Sequence, residues 1–462
     1  MEAKLYGQNK GGMSINGIIK DYYAYARENI SAGDLVEYIN GVAGSVDYGT
    51  SVNTQLTDGA YATGDYDHAI SAIALDNKRI FISYPKTNSY YWYGMVVTLE
   101  GATINLGTEV QLNSATSLIG ANTSMVMMPD GNIFVAHIYP SYAYLYATVL
   151  SISDNNEISV GTVTQLSTKK GSGTFISTVL LPDGKVFVAH SYGSSSNYHL
   201  YCTVCTVSGK TITPSSNKAL VTTSYAGHML STKLLPNGNV FIAHGYSNPT
   251  YVYGMICTVS GTTVTAGTDT KIGTEKAEQG ISSEYLPNGK IVVAHSNYMN
   301  ICTISGTTIS SGADIQVLSG GVGGKINTKL LTDNTILFLH GTTSSYYLQA
   351  VLCTVADTSI SFGTAVTLCP NAKYSGYVKP TVIQINSMLF IAHCSNNSTI
   401  YNVHAQMFDV INGVPTDHVI GVSYEKQVRK VTIGQFDGVA KTSGIGGDST
   451  GHNSLIRIWT LE

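Results

Sequence analysis

PDGKVFVAH, Pro182 to His190, is a tight reversal followed by an apolar run that stops at a histidine. Asp-Gly after proline favours a turn, and a short run rich in β-branched and aromatic side chains favours a strand. The phrase returns as GNIFVAH ending at His137, GNVFIAH at His244 and GKIVVAH at His295. Looser copies are TILFLH at His340 and MLFIAH at His393, and RIFISY puts Tyr84 in the histidine's place. Successive spacings are 53, 53, 54, 51, 45 and 53 residues, so the unit occurs seven times. A period near 50 belongs to propellers and solenoids.

Working outward from 182–190, ISTVLL (176–181) alternates before the turn, and the polar loop SYGSSSNY follows His190. HLYCTVCTV (199–207) reads as a third strand closed by Ser208-Gly209, and a threonine-rich fourth strand runs to about 222. Four strands with short turns and no helical period describe an antiparallel meander. The fold class is all-β, a seven-bladed β-propeller of four-stranded antiparallel blades over residues 47–414. The layout resembles kelch and WD-repeat blades, but neither family's signature is present, and the neuraminidase Asp box is absent too. GTEVQLNSA (107–115), GTVTQL (161–166) and GTAVTL (363–368) mark fourth strands. YGTSVNTQL at 48–56 precedes the first full unit, while the last unit lacks such a phrase. Residues 48–57 are therefore expected to complete the last blade and remove two open sheet edges.

Charged residues make up only 12% of the 462, and the net charge of −4 gives no electrostatic case for nucleic acid or an anionic membrane. No stretch approaches 18 apolar residues, and MEAKLYGQNKGG has no apolar h-region. The expectation is synthesis in a bacterial cytoplasm without a signal peptide. Four of the seven cysteines (Cys205, Cys257, Cys302, Cys353) recur at one place in the repeat and read as small core hydrophobes. Cys202 and Cys205 form a C-x-x-C, but residues three apart on a strand point to opposite faces and do not share a metal easily.

The ends, 1–46 and 415–462, do not repeat, and they are expected to build one small β-domain together. ISAGDLVEYING followed at a distance by DGVAKTSGIGGDSTGHNSLIRIWTL resembles a small β-domain in tail and fibre proteins of phages of Firmicutes. A similar AGD…GVA pairing occurs in some phage capsid-decoration proteins. The resemblance covers about 90 residues and implies a component of a virion or phage-tail-like particle, present in multiple copies and bound to other virion proteins through this domain.

The repeated residues Tyr84, His137, His190, His244, His295, His340 and His393 read as structural, each satisfying a neighbouring backbone group. Equivalent positions on separate blades sit too far apart to meet one ion, so no metal is expected. No nucleophile, phosphate-loop or paired-carboxylate signature is found, so no catalytic residue, no cofactor and no enzyme activity are expected. The loops after the histidines are rich in Tyr, Ser, Asn and Gly with almost no charge, and in a four-strand blade they all leave one face. Such a composition suits recognition of sugars or proteins. The candidate ligand-binding residues are Tyr90, Tyr91, Trp92, Tyr139, Tyr142, Tyr192, Tyr198, Tyr246, Tyr298 and Tyr346. Tyr146, Tyr201 and Tyr253, nearest the strands, are expected in the core. The functional expectation is a tail-fibre or baseplate adhesin recognising a host surface glycan or a surface-layer protein. The alternatives are a decoration, baseplate or collar subunit whose propeller contacts virion proteins, and an enzyme that degrades surface polysaccharide.

Overall fold

The computed structural model describes residues 19–26, 35–39, 47–50, 54–56, 70–86, 91–100, 103–112, 123–139, 144–168, 172–193, 199–223, 225–246, 251–277, 280–318, 322, 325–332, 334–342, 347–368, 373–374, 379–385, 388–397, 400–411, 414–416, 418–420, 427–430, 438–440 and 455–461. Residues 51–417 form one compact unit, and 1–50 with 418–462 form another. Among the described residues every regular element is a strand.

The larger unit is a seven-bladed β-propeller. Blade 3 shows the plan, with Ser172–Leu180, Val186–Tyr192 and His199–Ser208 paired antiparallel in order. Its fourth strand is broken into Thr211–Pro214 and Lys218–Val221, which pair with the two halves of the third strand. The same break occurs in every blade and explains the GT phrase. At Gly107, Gly161 and Gly267 the backbone N–H donates to a third-strand carbonyl, that of Val96, Val149 or Ile256, at 2.8–3.0 Å. A Cβ at Gly107 would lie 2.3 Å from the Val96 oxygen, and one at Gly267 2.6 Å from that of Ile256, so a side chain would force the strands apart.

The first strands of successive blades lie side by side around the axis, and that of blade 7, Thr381–Ile385, meets that of blade 1, Ser71–Ala74. The turn after each first strand is the one read from sequence. Gly184 N–H donates to Leu181 O at 3.0 Å and Gly184 takes φ +80°, where a side chain is strained.

The apolar run between turn and histidine is buried on both faces because each blade is sandwiched. Val186 and Val188 pack toward blade 2 with Phe134 and Ala136. Phe187 and Ala189 pack toward blade 4 with Val240 and Ile242. The phenylalanine recurs as Phe81, Phe134, Phe187, Phe241, Phe338 and Phe390, all fully buried, and burying each contributes roughly 1.5–3 kcal/mol. Cys202 and Cys205 fall in different interblade cores, one on each face, and six described cysteines are buried and free. Burial pushes the thiols of Cys205, Cys257, Cys302 and Cys353 up to about 12, which keeps them inert.

Closure differs in detail from the expected single strand 48–57. Among the described residues of this stretch, Thr54 and Gln55 pair with the last blade, opposite Ala405 and His404, and Leu56 N–H donates to Val403 O at 2.8 Å. The outer half of that blade's fourth strand is Val414–Thr416, which folds back on Asp409–Ile411 as a hairpin. Asp47–Thr50 pairs instead with His418–Ile420 in the terminal unit. The reason is the break common to all blades: two short pieces are needed, and each end of the propeller chain supplies one.

In the terminal unit Ile19–Ala26, Leu35–Ile39, Gln427–Lys430, Gly438–Ala440 and Leu455–Leu461 close into a five-stranded barrel. Leu35, which follows Ala32-Gly33-Asp34, pairs with Val439 of Gly438-Val439-Ala440, so the two halves of the AGD…GVA pattern are strand neighbours.

Candidate functional site

Chain direction fixes which features share an end of the propeller. Each second strand runs toward, and each third strand leaves from, the end at which the first strands begin. The tyrosine-rich connections and the mouth of the central channel therefore belong to the same end.

At the rim of this end the repeated residues are buried, and in blades 1, 3, 4 and 5 they are paired more specifically than by backbone alone. The partner comes from the fourth strand, two residues beyond the glycine of the break or its Ser215 equivalent. Tyr84 OH donates to Glu109 Oε1 at 2.6 Å. His190 Nε2 lies 2.9 Å from Asn217 Oδ1, His244 Nε2 2.9 Å from Asp269 Oδ1, and His295 Nε2 3.0 Å from Asp314 Oδ1. In blade 4 the Gly227 N–H donates to His244 Nδ1 at 3.3 Å, which leaves Nε2–H to donate to Asp269. In blades 2 and 6 the acceptor position holds Val163 and Ala365. Burial pushes His137 down to about 4 and His393 to about 3, the latter helped by His404. His190 and His340 are lowered by burial as well, opposed at His190 by Asn217. Neutral imidazoles thus cap the strands in blades 2, 3, 6 and 7. Among the described residues no three His, Cys, Asp or Glu side chains gather as a metal site.

Of the candidate binding residues, Tyr192, Tyr246 and Tyr298 are half-buried at this end of blades 3, 4 and 5. Tyr246 OH donates to Asp269 Oδ2 at 2.8 Å and its ring lies 4.5 Å from that of Tyr253, so it is anchored to the histidine pair. Trp92 departs from expectation, being 1% exposed. The hairpin of blade 1 runs on past the histidine position, with Pro85 opposite Trp92 and Lys86 opposite Tyr91. Trp92 is therefore a strand residue, packed with Phe81, Leu112 and Ile133, its ring 5.3 Å from that of His137. Tyr91 and Tyr139 have described backbone only, and Tyr90, Tyr142, Tyr198 and Tyr346 lie outside the described residues. Tyr146, Tyr201 and Tyr253, expected in the core, are half-buried.

The centre of the same end was not read from the sequence. A cavity of about 260 Å³ lies where the first strands begin, lined from all seven blades. One position per blade carries Ser71, Ser124, Ser177, Ser231, Ser282, Asn327 or Thr381, a complete polar ring of which all but Ser282 line the cavity. Its hydroxyls bond across blades: Ser124 to Thr178, Ser177 to Thr232 and Ser231 to Ser283 at 2.8 Å, and Ser282 to Thr328 at 2.7 Å. Two residues earlier stand Phe175 and Met229 in blades 3 and 4, and Lys325 and Lys379 in blades 6 and 7. Burial pushes the Lys379 amine down to about 8; Lys233 and Lys325 add to this and Glu284 opposes it. Glu284 accepts from Lys233 at 3.0 Å further along the strands. The repeated Ser-Thr and Ser-Ser pairs in the first strands were the available signal for this ring.

No family model and no curated protein matches the chain. Solved structures of similar fold include a protein from Lactobacillus plantarum, 11% identical with TM-score 0.51 over 77% of this chain and 99% of that one. They also include polysaccharide lyase Uly1, at 9% identity and TM-score 0.47 over 84% and 99% of the two chains. A Hadza microbial sialidase is 12% identical with TM-score 0.42 over 65% of each. At these identities the likeness is one of fold. The expectation that the chain is no enzyme does not stand: the solved structures of similar fold include ones named as a polysaccharide lyase and a sialidase.

Proposed function

We propose that the chain is a binding component of a virion or phage-tail-like particle, and that its propeller recognises a host-surface glycan or surface-layer protein. Recognition uses the end that bears the tyrosine-rich connections, and the terminal barrel holds the chain to other virion proteins. The observation that carries the reading is the set Tyr192, Tyr246 and Tyr298, half-buried at one end of three successive blades and joined to connections with almost no charge. Rigid amphipathic rings among neutral donors and acceptors suit such ligands, and many copies on a particle would multiply weak contacts. The AGD…GVA resemblance, with Leu35 paired to Val439 in one barrel, supports the particle half of the reading.

The test is adhesion of purified full-length chain to cell-wall preparations from Firmicutes. Tyr192→Ala with Tyr298→Ala should weaken binding by about tenfold to a hundredfold, since a stacked or hot-spot tyrosine is worth ~1–3 kcal/mol. The melting temperature should move by only a few degrees. A double variant that adheres like the parent would sink the reading, and binding confined to particles lacking the protein would favour the decoration or baseplate role.

A further inference from the structure

The residue opposite the histidine position on each third strand repeats as well. Tyr93 stands opposite Tyr84, and Tyr146, Tyr201, Tyr253 and Tyr298 stand opposite His137, His190, His244 and His295. All five are half-buried beside a fully buried partner. Directly opposite residues of antiparallel strands point to one face with Cβ atoms about 5 Å apart, so each tyrosine shares the face of its partner. The inner piece of the fourth strand continues the row. Gln111 is opposite Tyr93, Gln165 opposite Tyr146 and Gln316 opposite Tyr298, all three exposed. Blades 3 and 4 put Ala219 and Lys271 there, and blades 6 and 7 have Gln349 and His404 at the tyrosine position. Blades 1, 2 and 5 thus carry a row that runs outward from a buried ring, through a half-buried tyrosine, to an exposed amide.

The row faces the preceding blade. Ile133 and Val135 share a core with Leu112 of blade 1, and Ile291 and Val293 share one with Ile272 of blade 4. Strand alternation puts His137 and His295, and with them Tyr146 and Tyr298, on those same sides. The buried imidazoles set the tyrosine rings, at 6.3 Å and 18° for His137 with Tyr146 and at 5.9 Å and 21° for His295 with Tyr298. Gln165 Nε2 donates to Ser167 O at 2.8 Å, which fixes its amide.

We propose that the clefts in front of blades 1, 2 and 5 each bind one neutral pyranose residue, its C–H face laid on Tyr93, Tyr146 or Tyr298 and its hydroxyls bonded by the paired glutamine. A pyranose has an apolar face and a rim of hydroxyls, which matches an aromatic ring set beside a neutral amide. The amide donates and accepts, as hydroxyls do. Three subsites on one chain hold a glycan at several residues at once, so weak contacts multiply. This inference rests on the glycan half of the adhesion reading and moves the sugar from the connections to the strand tyrosines between blades.

The experiment is ligand-observed NMR titration of the full-length chain with methyl β-glucoside and methyl β-galactoside, with sorbitol as a polyol that has hydroxyls but no ring face. At least one glycoside should bind, and sorbitol should bind at least about tenfold more weakly. Gln111→Ala, Gln165→Ala and Gln316→Ala together change exposed strand positions and should lower glycoside affinity about fivefold or more, with melting close to that of the parent. Tyr146→Leu with Tyr298→Leu should remove most of the glycoside signal; should that variant melt early, the glutamine variant decides. Lys271→Ala, in the cleft before blade 4, should leave glycoside affinity unchanged. Adhesion to cell-wall preparations is measured in parallel. Glycoside binding without adhesion keeps the subsites and discards the adhesion reading, whereas adhesion without binding of either glycoside discards the subsites and leaves that reading to a protein ligand. Full glycoside affinity in the folded triple-glutamine variant, an equal loss in Lys271→Ala, or sorbitol binding as tightly as the glycosides would each overturn the proposal.

Discussion

Acidification from pH 7 to pH 4 should destabilise the propeller through its neutral buried histidines. His137 falls to about 4 and His393 to about 3 because burial penalises the imidazolium. An unfolded histidine titrates near 6.5. Below that value the unfolded chain takes up protons that the folded chain refuses, so stability is lost as pH falls from 6.5 through the folded pKa. At pH 4 each of these two side chains costs about 3 kcal/mol relative to pH 7, and His190, His340 and His404 add in the same direction. For a unit spanning Ser51–Asp417, unfolding entropy amounts to roughly 0.8 kcal/mol per degree, so about 6 kcal/mol should lower the melting temperature by ~8 °C. Asp314 does not blur the window. Burial opposes its ionisation, but hydrogen bonds from His295 and Thr274 hold its carboxyl well below the usual range. Scanning calorimetry at half-unit pH steps measures the slope. His137→Phe, at a position flanked by the rings of Trp92 and Tyr146, should remove close to half of the loss assigned to His137 and His393. A flat profile between pH 7 and 4, or a parental slope in the folded variant, would refute the assignment.

Two further outcomes follow from the same geometry. Asp269→Ala strips the acceptor from buried His244 and from Tyr246 and should cost about 2 kcal/mol, whereas Asp269→Asn keeps an acceptor and should cost far less; chemical denaturation distinguishes them, and an alanine variant within 0.5 kcal/mol of the parent would show the pair to be idle. Lys379→Met should stabilise the chain by ~2 kcal/mol at pH 7, after discounting for solvent at the mouth, with the gain shrinking as pH rises from about 8 toward 10.5, where the folded amine is already neutral but the unfolded one is not; a pH-independent gain would mean that packing, not charge, was relieved.

The blade plan was legible because one strand phrase is buried on both sides: V-F-V-A between a turn and a histidine leaves no choice of exposed face, and the period follows. The broken fourth strand was visible only as the recurrent GT, since a glycine needed for close approach to a carbonyl reads like any turn glycine. The histidine partners Asn217, Asp269 and Asp314 escaped notice because a residue two places beyond a break has no periodic relation to the histidine 19–27 residues earlier. Trp92 was misplaced because a hairpin that extends by a few residues turns loop positions into strand positions. The channel mouth draws its lining from seven distant segments, and only the ring brings Lys325 and Lys379 opposite Phe175 and Met229.

The seam of the propeller bears on how blade number could change. Thr54–Gln55 and Val414–Thr416 complete the last blade from opposite ends, so the join lies inside a blade and not between two. Duplicating or deleting one internal repeat of the gene, from one histidine phrase to the next, would leave both seam pieces untouched. A ring of six or eight blades would inherit the same fastening, with only the curvature between neighbours to adjust. The sequence drift between repeats, and the short spacing between His295 and His340, are then free to accumulate without endangering closure.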